Sequence, residues 1–574
     1  MENYKILKYL DDIVESYKAP PQRVDGLVRN PKDIIRTIEF YTSSEFTSGN
    51  TDSLGREKPF YNVVNYRTTV AKVATDLDVK DIRFEPDDIN HSVQAMLYNH
   101  ELYKFLKEIN FSLTLNEMGL TRPKYGGLLV KKSKHDGKIR IDVVDWVNVD
   151  FDPSDVIGGT LVETFYLFPN ELSEKSDSWE NINEVLTAHE KLNKNKPAKI
   201  EIKEVSGVFP EDFDPNVEGG DPRKYKRMCF YIACVGKKKF YLYSEEEKES
   251  RFKYIAWEAV GKGLGRGVVE DGFNSQVWIN DAMISMKNAM ELSGKVVLST
   301  DSQKVGGNVI TGVDNGHIFE LEPGRSITSL NLSASALPQF QNIIELWNQQ
   351  YDRSASTFDA NTGESPTAGT PYSQTALLNQ VANSPFEFRR EEYGIFINEI
   401  LNEWIMPELK KRISKAHYLQ SEFSDDEIKI IDEAIVNSET NKKLLDMTLN
   451  DIVPTPQDQQ MIAGGISDSL SRFGSKRSVE IPEKFLDVEG HLTCNITGEL
   501  KNKAAVLQSL DSIFKTVVAT FNPNTGKYAA LEDPALSKIF GMIVETAGVP
   551  ISSAQLKSGV SKPDMSAIQP MPTK

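Results

Sequence analysis

The chain has 574 residues and a mass of 64.5 kDa, which is enough for three or four domains of about 150 residues each. Hydrophobic residues make up 39% and charged residues 26%, values typical of a globular protein with well-filled cores. The formal net charge of −17 argues against tight sequence-specific DNA binding, because contacts to phosphates need a basic surface. A surface along which DNA passes without adhering is still allowed.

The N-terminus, MENYKILKYLDDIVESYK, alternates charged and apolar residues and therefore does not resemble a signal peptide. No apolar run approaches the roughly 20 residues that a membrane-spanning helix needs. The three cysteines are Cys229, Cys234 and Cys494. An odd and sparse set of this kind predicts free thiols in a reducing compartment, and the first two lie in an apolar, strand-like run without nearby zinc ligands.

The first part of the chain mixes helical and strand patterns. Apolar residues recur with helical spacing in Val63–Leu77 and Met96–Leu120. Strand-like runs flank the turn residues HDG within Tyr125–Pro153, which predicts a hairpin. Ser176–Lys199 predicts a charged surface helix, and the run KRMCFYIACVGKKKFYLYSEEE returns to strand. The sequence therefore predicts an α+β region that ends near residue 260.

The stretch GKGLGRG, before a helical pattern that continues to about Glu291, raises the question of phosphate binding. Glycine-rich turns before helices bind phosphate through free N–H groups. Here the lysine and hydroxyl of a Walker loop are missing, and Glu270 and Asp271 would repel an anion at the helix start. We therefore expect a tight turn that leads into a capped helix, with no nucleotide site.

A β-rich, glycine-punctuated segment follows, and then a second helix. Its apolar stripe consists of Phe340, Ile343, Ile344, Trp347 and Tyr351. The opposite face carries a polar strip, defined here as Gln341, Glu345, Asn348 and Asp352.

A loop rich in Gly, Pro, Thr and Ser covers Ser356–Gln374, and loops of this length are usually functional. The next helical run, to Ile413, should kink or break at Pro385 and Pro407. The last third reads as mainly helical with one β-like interlude, FLDVEGHLTCNITGEL.

The sequence contains no recognisable catalytic or metal-binding constellation. The seven histidines are scattered without metal-ligand spacing, and no G-x-S-x-G elbow occurs. We therefore expect a protein that is not an enzyme, with no catalytic residues, no metal and no cofactor.

The order of these elements resembles the portal proteins of tailed bacteriophages, the connectors between head and tail. Local phrases are similar too: VDWVNVDFDPSDV to a turn of the N-terminal region, GRGVVEDGFNSQVWIN to the start of the first stem helix, and SPTAGTPYSQTALLNQVANS to the tunnel loop and the helix behind it. The likeness covers most of residues 55–420. The residue usage also resembles that of crAss-like phages of gut Bacteroidetes.

The resemblance implies an α+β multidomain portal fold with wing, helical stem, β-containing clip and helical crown, assembled as a ring. The implied parts are the wing (1–265), stem helix 1 (266–294), the clip (295–335), stem helix 2 (336–354), the tunnel loop (355–372), a long kinked helix of the wing (373–420), and a C-terminal helical region that includes the crown (421–574). The tail, 551–574, is expected to be disordered.

The resemblance also implies roles for residues. The polar strip would line a channel that DNA passes through without specific binding. The glycines Gly263, Gly265 and Gly267 would form a hinge between wing and stem. Candidate tunnel-loop residues are Asp359, Asn361, Thr362, Gly363, Glu364, Thr367 and Gly369.

The partners implied by the resemblance are those of a virion protein. Twelve copies would form the ring at one capsid vertex and contact the major capsid protein. The clip would dock the terminase during packaging, and head-tail adaptor or tail proteins afterwards. The protein would be in the host cytoplasm during assembly and then in the virion, without a membrane partner.

Two other functions stay open at the level of sequence. One is an ATP-driven DNA-packaging motor subunit similar to a terminase, although the Walker lysine–hydroxyl pair is missing. The other is a scaffolding protein of the capsid interior, although a helix pair that brackets a β module is unusual for such proteins.

Overall fold

The computed structural model describes most of the chain, and the account below is confined to those residues. They are 5–18, 29–52, 55–88, 91–135, 137–175, 178–193, 198–215, 217, 220–293, 297–300, 323, 327–330, 337–357, 372–413, 418–419, 425–450, 453–471, 478–479, 488–494, 521–522 and 527–528. Helices and strands are both abundant, which agrees with the predicted α+β class.

The helices, in chain order, are α1 (Lys5–Lys18), α2 (Pro31–Thr42), α3 (Val64–Ala74), α4 (Ser92–Glu108), α5 (Phe111–Tyr125), α6 (Pro169–Ser173), α7 (Ile182–Asn193), α8 (Val268–Asp271), α9 (Phe273–Ser293), α10 (Leu337–Ala355), α11 (Tyr372–Ile400), α12 (Met406–Ile413), α13 (Asp425–Leu449) and α14 (Pro456–Ser471).

The strands are β1 (Ile82–Pro86), β2 (Gly127–His135), β3 (Lys138–Val143), β4 (Val149–Asp150), β5 (Leu161–Leu167), β6 (Ile200–Pro210), β7 (Tyr225–Val235), β8 (Lys238–Glu246), β9 (Phe252–Ala256), β10 (Val297–Thr300), β11 (Ile327–Leu330), β12 (Tyr418–Leu419), β13 (Ser478–Val479), β14 (Gly490–Cys494), β15 (Phe521–Asn522) and β16 (Lys527–Tyr528).

Two structural units divide the chain. Unit 1 consists of Met1–Asp76, Asn116–Ser133 and Ile141–Arg389. Unit 2 consists of Leu77–Leu115, Lys134–Arg140 and Arg390–Lys574. The division differs from the parts implied by the resemblance, because α4 belongs to the same unit as the C-terminal helices. The boundaries of wing, stem, clip and crown stay predictions.

Unit 1 contains three antiparallel sheets among its described residues, of which the smallest pairs β10 with β11. Of the two larger sheets, one has five strands in the order β4-β5-β6-β7-β8, and the other has three in the order β3-β2-β9. The predicted HDG hairpin is confirmed: β2 ends at His135 and β3 begins at Lys138, with Gly137 at φ +75° in a conformation that glycine adopts without strain. The three-stranded sheet packs into a core with α2, α3 and α8–α10 that includes Trp146, Val268 and Tyr351.

The charged surface helix predicted within Ser176–Lys199 forms as α7, but one of its faces is buried. Ile182, Val185 and His189 are buried. Ile182 and Val185 pack in one cluster with Ala233 of β7 and Leu242 of β8. The opposite face of α7 is charged, so the segment looks polar overall although its apolar residues share one face.

Unit 2 is closed by a pairing between distant parts of the chain. The β-like interlude forms β14, which pairs antiparallel with β1, so that Ile82 lies opposite Cys494. A π-helical turn, Leu401–Ile405, lies directly before Pro407, and its Asn402 amide exchanges hydrogen bonds with the backbone of Leu492. The interruption predicted near Pro407 is therefore confirmed, whereas α11 continues through Pro385 without a break.

Candidate functional site

The helix expected over residues 266–294 is divided in two, which corrects the prediction of one continuous stem helix. α8 ends at Asp271, Gly272 interrupts it, and α9 begins at Phe273. A Cβ at Gly272 would lie 2.2 Å from the Tyr351 ring, and the Tyr351 hydroxyl donates to the Val268 carbonyl at 2.8 Å. The buried tyrosine of α10 thus occupies the space that a side chain at position 272 would need.

Two amides on α9 hold the segment before α3. The Gln276 side chain is fully buried, accepts from the Val63 N–H at 3.0 Å and donates to the Tyr61 carbonyl at 2.6 Å. Asn280, one turn later, accepts from the Tyr61 N–H at 2.9 Å. This pair was not predicted from the sequence, although polar residues at i and i+4 among apolar neighbours are a detectable signal.

α10 presents three different faces. Its inner face packs Ile344, Trp347 and Tyr351 into the core. The polar strip lies beside it, and Gln341, Glu345 and Asn348 line a shallow concavity together with Ile344 and Gln349. At 100° per residue, Ile343 and Leu346 fall on the side opposite the strip, and Ile343, which was predicted to belong to the apolar stripe, is 37% exposed there. The predicted stem helix 2 is thus confirmed as a helix with one exposed polar face, while its position in a channel stays a prediction.

At the C-terminal end of the polar strip, the charge of Asp352 is compensated by an arginine. Arg67 of α3 donates from Nε to Asp352 Oδ1 at 2.7 Å and from Nη2 to Asn348 Oδ1 at 3.3 Å. Its guanidinium carbon also lies 4.6 Å from the centroid of the Tyr351 ring. No pattern in the sequence connects Arg67 with α10, and the pair compensates the charge of Asp352. Glu345 therefore carries the acidic character of the strip.

Large apolar side chains are exposed on the α9–α10 pair. Trp278 is 54% exposed and Leu346 is 64% exposed, and Val277 and Ile343 are exposed as well. The rings of Trp278 and Trp347 stack across the two helices, with centroids 5.9 Å apart and planes inclined by 5°. We call Val277, Trp278, Ile343 and Leu346 the exposed apolar set.

The three candidate hinge glycines lie in close backbone contacts. A Cβ would lie 2.5 Å from the Pro153 carbonyl oxygen at Gly263, 2.1 Å from the Gly126 oxygen at Gly265, and 2.5 Å from the Gly126 nitrogen at Gly267. The Tyr254 hydroxyl accepts from the Gly265 N–H at 2.8 Å. Close backbone packing therefore accounts for the glycine at each of these three positions, without any need for backbone flexibility. The hinge stays a prediction.

The two carboxylates of the short helix α8, Glu270 and Asp271, are paired with arginines. Arg29 contacts both carboxylate oxygens of Glu270, at 3.0 and 2.6 Å, and also donates to the Gly265 carbonyl at 2.7 Å. Arg266 pairs with Asp271. Burial raises the pKa of Asp271 to about 6, against the opposing effect of Arg266.

The remaining candidates lie largely outside the described residues. All seven tunnel-loop candidates, from Asp359 to Gly369, fall in the undescribed range 358–371. In the predicted clip, β10 and β11 pair antiparallel, with Val297 opposite Leu330, which agrees with the β-rich pattern of that segment. Apart from Pro323, the other residues of the predicted clip lie outside the described part of the chain.

Among the described residues, no group of three or more His, Cys, Asp or Glu side chains could hold a metal ion. No helix of the described part is long and apolar enough to cross a membrane. In comparisons with known proteins, no protein-family model matches the chain, and no curated protein matches its sequence.

Proposed function

We propose that this protein is the subunit of a ring-shaped channel, the portal at one vertex of a phage capsid, through which the genome is packaged and ejected. The observation that carries this proposal is the α9–α10 pair, which leaves a polar strip and the exposed apolar set uncovered on the same two helices. A solitary chain gains nothing from exposing Trp278 and Leu346, whereas neighbouring subunits of a ring would cover these side chains.

The composition of the strip suits a channel wall. Gln341, Glu345 and Asn348 are polar with one negative charge, and Arg67 compensates Asp352. Repeated around a ring, such a wall would repel phosphates weakly, so that DNA would slide, whereas a basic lining would retain it.

In this proposal the α+β region forms the wing, and α8–α10 form the stem on either side of the clip. The clip would dock the terminase during packaging and adaptor or tail proteins afterwards, and the ring would contact the major capsid protein. The number of subunits proposed is twelve, from the resemblance. The protein would supply a passage and no catalytic step.

The experiment that tests this proposal is native mass spectrometry of the purified full-length chain, with negative-stain images of the same sample. We expect an assembly near twelve times 64.5 kDa with a central hole. Because ring assembly depends on protein concentration, the measurement is repeated across a hundredfold concentration range. A monomer or dimer at every concentration, above all one that hydrolyses ATP, would overturn the proposal in favour of a motor subunit.

A further inference from the structure

An ion-pair network joins the five-stranded and three-stranded sheets of unit 1. Among the described residues, its two cations come from the side of the three-stranded sheet: Lys131 lies on β2, and Arg251 directly precedes β9. Its four carboxylates come from the five-stranded sheet and the end of β8: Glu163, Glu204, Glu245 and Glu247. Asp142 and Arg227 lie at its margins, where they act electrostatically on Glu163 and Glu247 respectively.

Lys131 compensates a repulsive pair within the five-stranded sheet. Glu163 on β5 and Glu204 on β6 are direct cross-strand partners, a position in which like charges destabilise a sheet. The Lys131 ammonium lies 2.5 Å from Glu163 and 3.1 Å from Glu204, and all three side chains are largely buried. Without this cation, two carboxylates would face each other in a poorly solvated position.

Arg251 makes a second set of contacts beside the first. Its Nη1 donates to Glu204 at 3.1 Å and to the Tyr231 hydroxyl at 2.9 Å. Its other nitrogens pair with Glu245 and Glu247. Together, the two cations join strands β5 to β8 to the three-stranded sheet through ion pairs.

The outer strands have apolar cores of their own. One cluster packs α1 on the five-stranded sheet through Ile6 and Leu10, which meet Val162 of β5, Val205 of β6 and Phe230 of β7. A second packs α6 and α7 on the sheet through Leu172, Val185, Ile202 and Ala233. By contrast, β4 and the start of β5 share a core with the three-stranded sheet, through Val149, Leu161, Leu129 and Phe252.

We propose that this network is a latch in which Lys131 and Arg251 hold strands β6–β8 closed on the three-stranded sheet. When the cations are lost, these strands open together with α1 and α7 as one body. The hinge of this motion is the apolar anchor at β4 and the start of β5. The two apolar clusters move with the strands and stay intact. The inference does not depend on the proposed portal function.

Cys229 is a built-in probe of this opening. It lies on β7 on the same sheet face as Tyr231, is fully buried, and is in electrostatic contact with Glu204 and Arg251. Its burial among carboxylates raises the pKa of the thiol, so alkylation of the closed form should be slow because the thiolate is the reactive species. Cys494, buried in unit 2, serves as an internal reference.

The test is alkylation of the native full-length chain with iodoacetamide, followed by peptide mass spectrometry. Lys131→Met should raise the labelling rate of Cys229 at least tenfold and leave that of Cys494 unchanged. Lys239→Met, which removes a cation paired with Asp11 at the outer end of the sheet, is the matched control and should label like the wild type. An unchanged Cys229 rate, or equal acceleration at Cys229 and Cys494, would overturn the latch.

A second variant covers the case in which Lys131→Met does not fold. Lys131→Met combined with Glu163→Gln removes one carboxylate together with the cation and so relieves the repulsion across β5 and β6. Because it still lacks the cation that joins β2 to β5 and β6, we expect it to fold and to label Cys229 at least threefold faster than the wild type, with Cys494 unchanged. Labelling of Cys229 at the wild-type rate would show that Lys131 only balances charge within the five-stranded sheet, and would overturn the latch.

Discussion

Gly267 and Gly464 lie in different surroundings, so the same substitution should have opposite effects on stability. At Gly267 a Cβ would lie 2.5 Å from the Gly126 nitrogen and 2.7 Å from the Pro123 oxygen, whereas at Gly464, inside α14, nothing lies within 4 Å. We expect Gly267→Ala to destabilise unit 1 by about 2 kcal/mol or more, because neither contact is with a flexible side chain. Gly464→Ala should stabilise α14 by about 1 kcal/mol, because alanine is the better helix former.

Differential scanning calorimetry of the two variants checks this prediction. The transition temperature should fall for Gly267→Ala and rise for Gly464→Ala. If the first variant is as stable as the wild type, the backbone contacts at residues 263–267 are looser than the structure has them, and a mobile segment becomes the better interpretation of these glycines.

The pKa of Asp271 predicts a dependence of stability on pH. Burial raises this pKa to about 6, above the ordinary value of an aspartate in the unfolded chain. The folded state therefore binds the proton more tightly, and the stability gained in this way is present below about pH 4 and lost as the pH rises through 6. The loss for a shift of this size is about 2–3 kcal/mol.

Thermal unfolding between pH 4 and 7.5 measures this contribution. Asp271→Asn should reduce the decline in transition temperature over that range, because asparagine cannot ionise. Asp12→Asn, at an exposed position on α1, should retain the full decline. Equal declines in the two variants would show that Asp271 does not carry the effect.

At the scale of elements, Gln276 determines how α9 meets the segment before α3. Gln276→Ala leaves the Tyr61 carbonyl and the Val63 N–H without their Gln276 partner in a buried place. We therefore expect the free energy of unfolding to fall by about 2 kcal/mol or more. Gln350→Ala, at an exposed position of α10, should change stability by less than about 0.5 kcal/mol. Urea unfolding of both variants compares them, and a similar small effect in each would contradict the role given to Gln276.

At the scale of the whole molecule, the exposed apolar set predicts an effect on assembly. Leu346→Glu should prevent ring formation, because a charge would have to be desolvated between neighbouring subunits, and should leave the folding of the single chain unchanged because Leu346 is 64% exposed. Gln341→Glu adds the same charge on the same helix, but on the polar strip, which stays solvated in the proposed ring. Native mass spectrometry distinguishes the two, and rings of normal mass in Leu346→Glu would exclude this residue from the interface.

The predicted tunnel loop allows a second test of the proposed function. Deletion of Gly363–Gly369 should leave ring assembly intact and impair DNA packaging or retention, because the loop would narrow the channel. Nuclease protection of DNA in assembled capsids measures the effect, with a Gly/Ser replacement of equal length as control. Loss of ring assembly in the deletion variant would show that the loop is structural instead.

Local patterns in the sequence were enough for much of the fold. Period-two runs predicted the hairpin of β2 and β3, and the stripe of Ile344, Trp347 and Tyr351 predicted α10, because each pattern depends only on neighbours along the chain. The interruption near Pro407 follows from the missing N–H of proline. The exposed polar strip, too, could be placed on one face of a helix from spacing alone.

Only the tertiary structure determined which distant residues contact the faces that these patterns predict. The break at Gly272 depends on Tyr351, the compensation of Asp352 depends on Arg67, and the carboxylates Glu163 and Glu204 depend on Lys131. In each case the partners are distant in sequence, and nothing in either segment encodes the other. Periodicity describes which side chains share a face, whereas packing and charge compensation depend on which face of another element meets it in space.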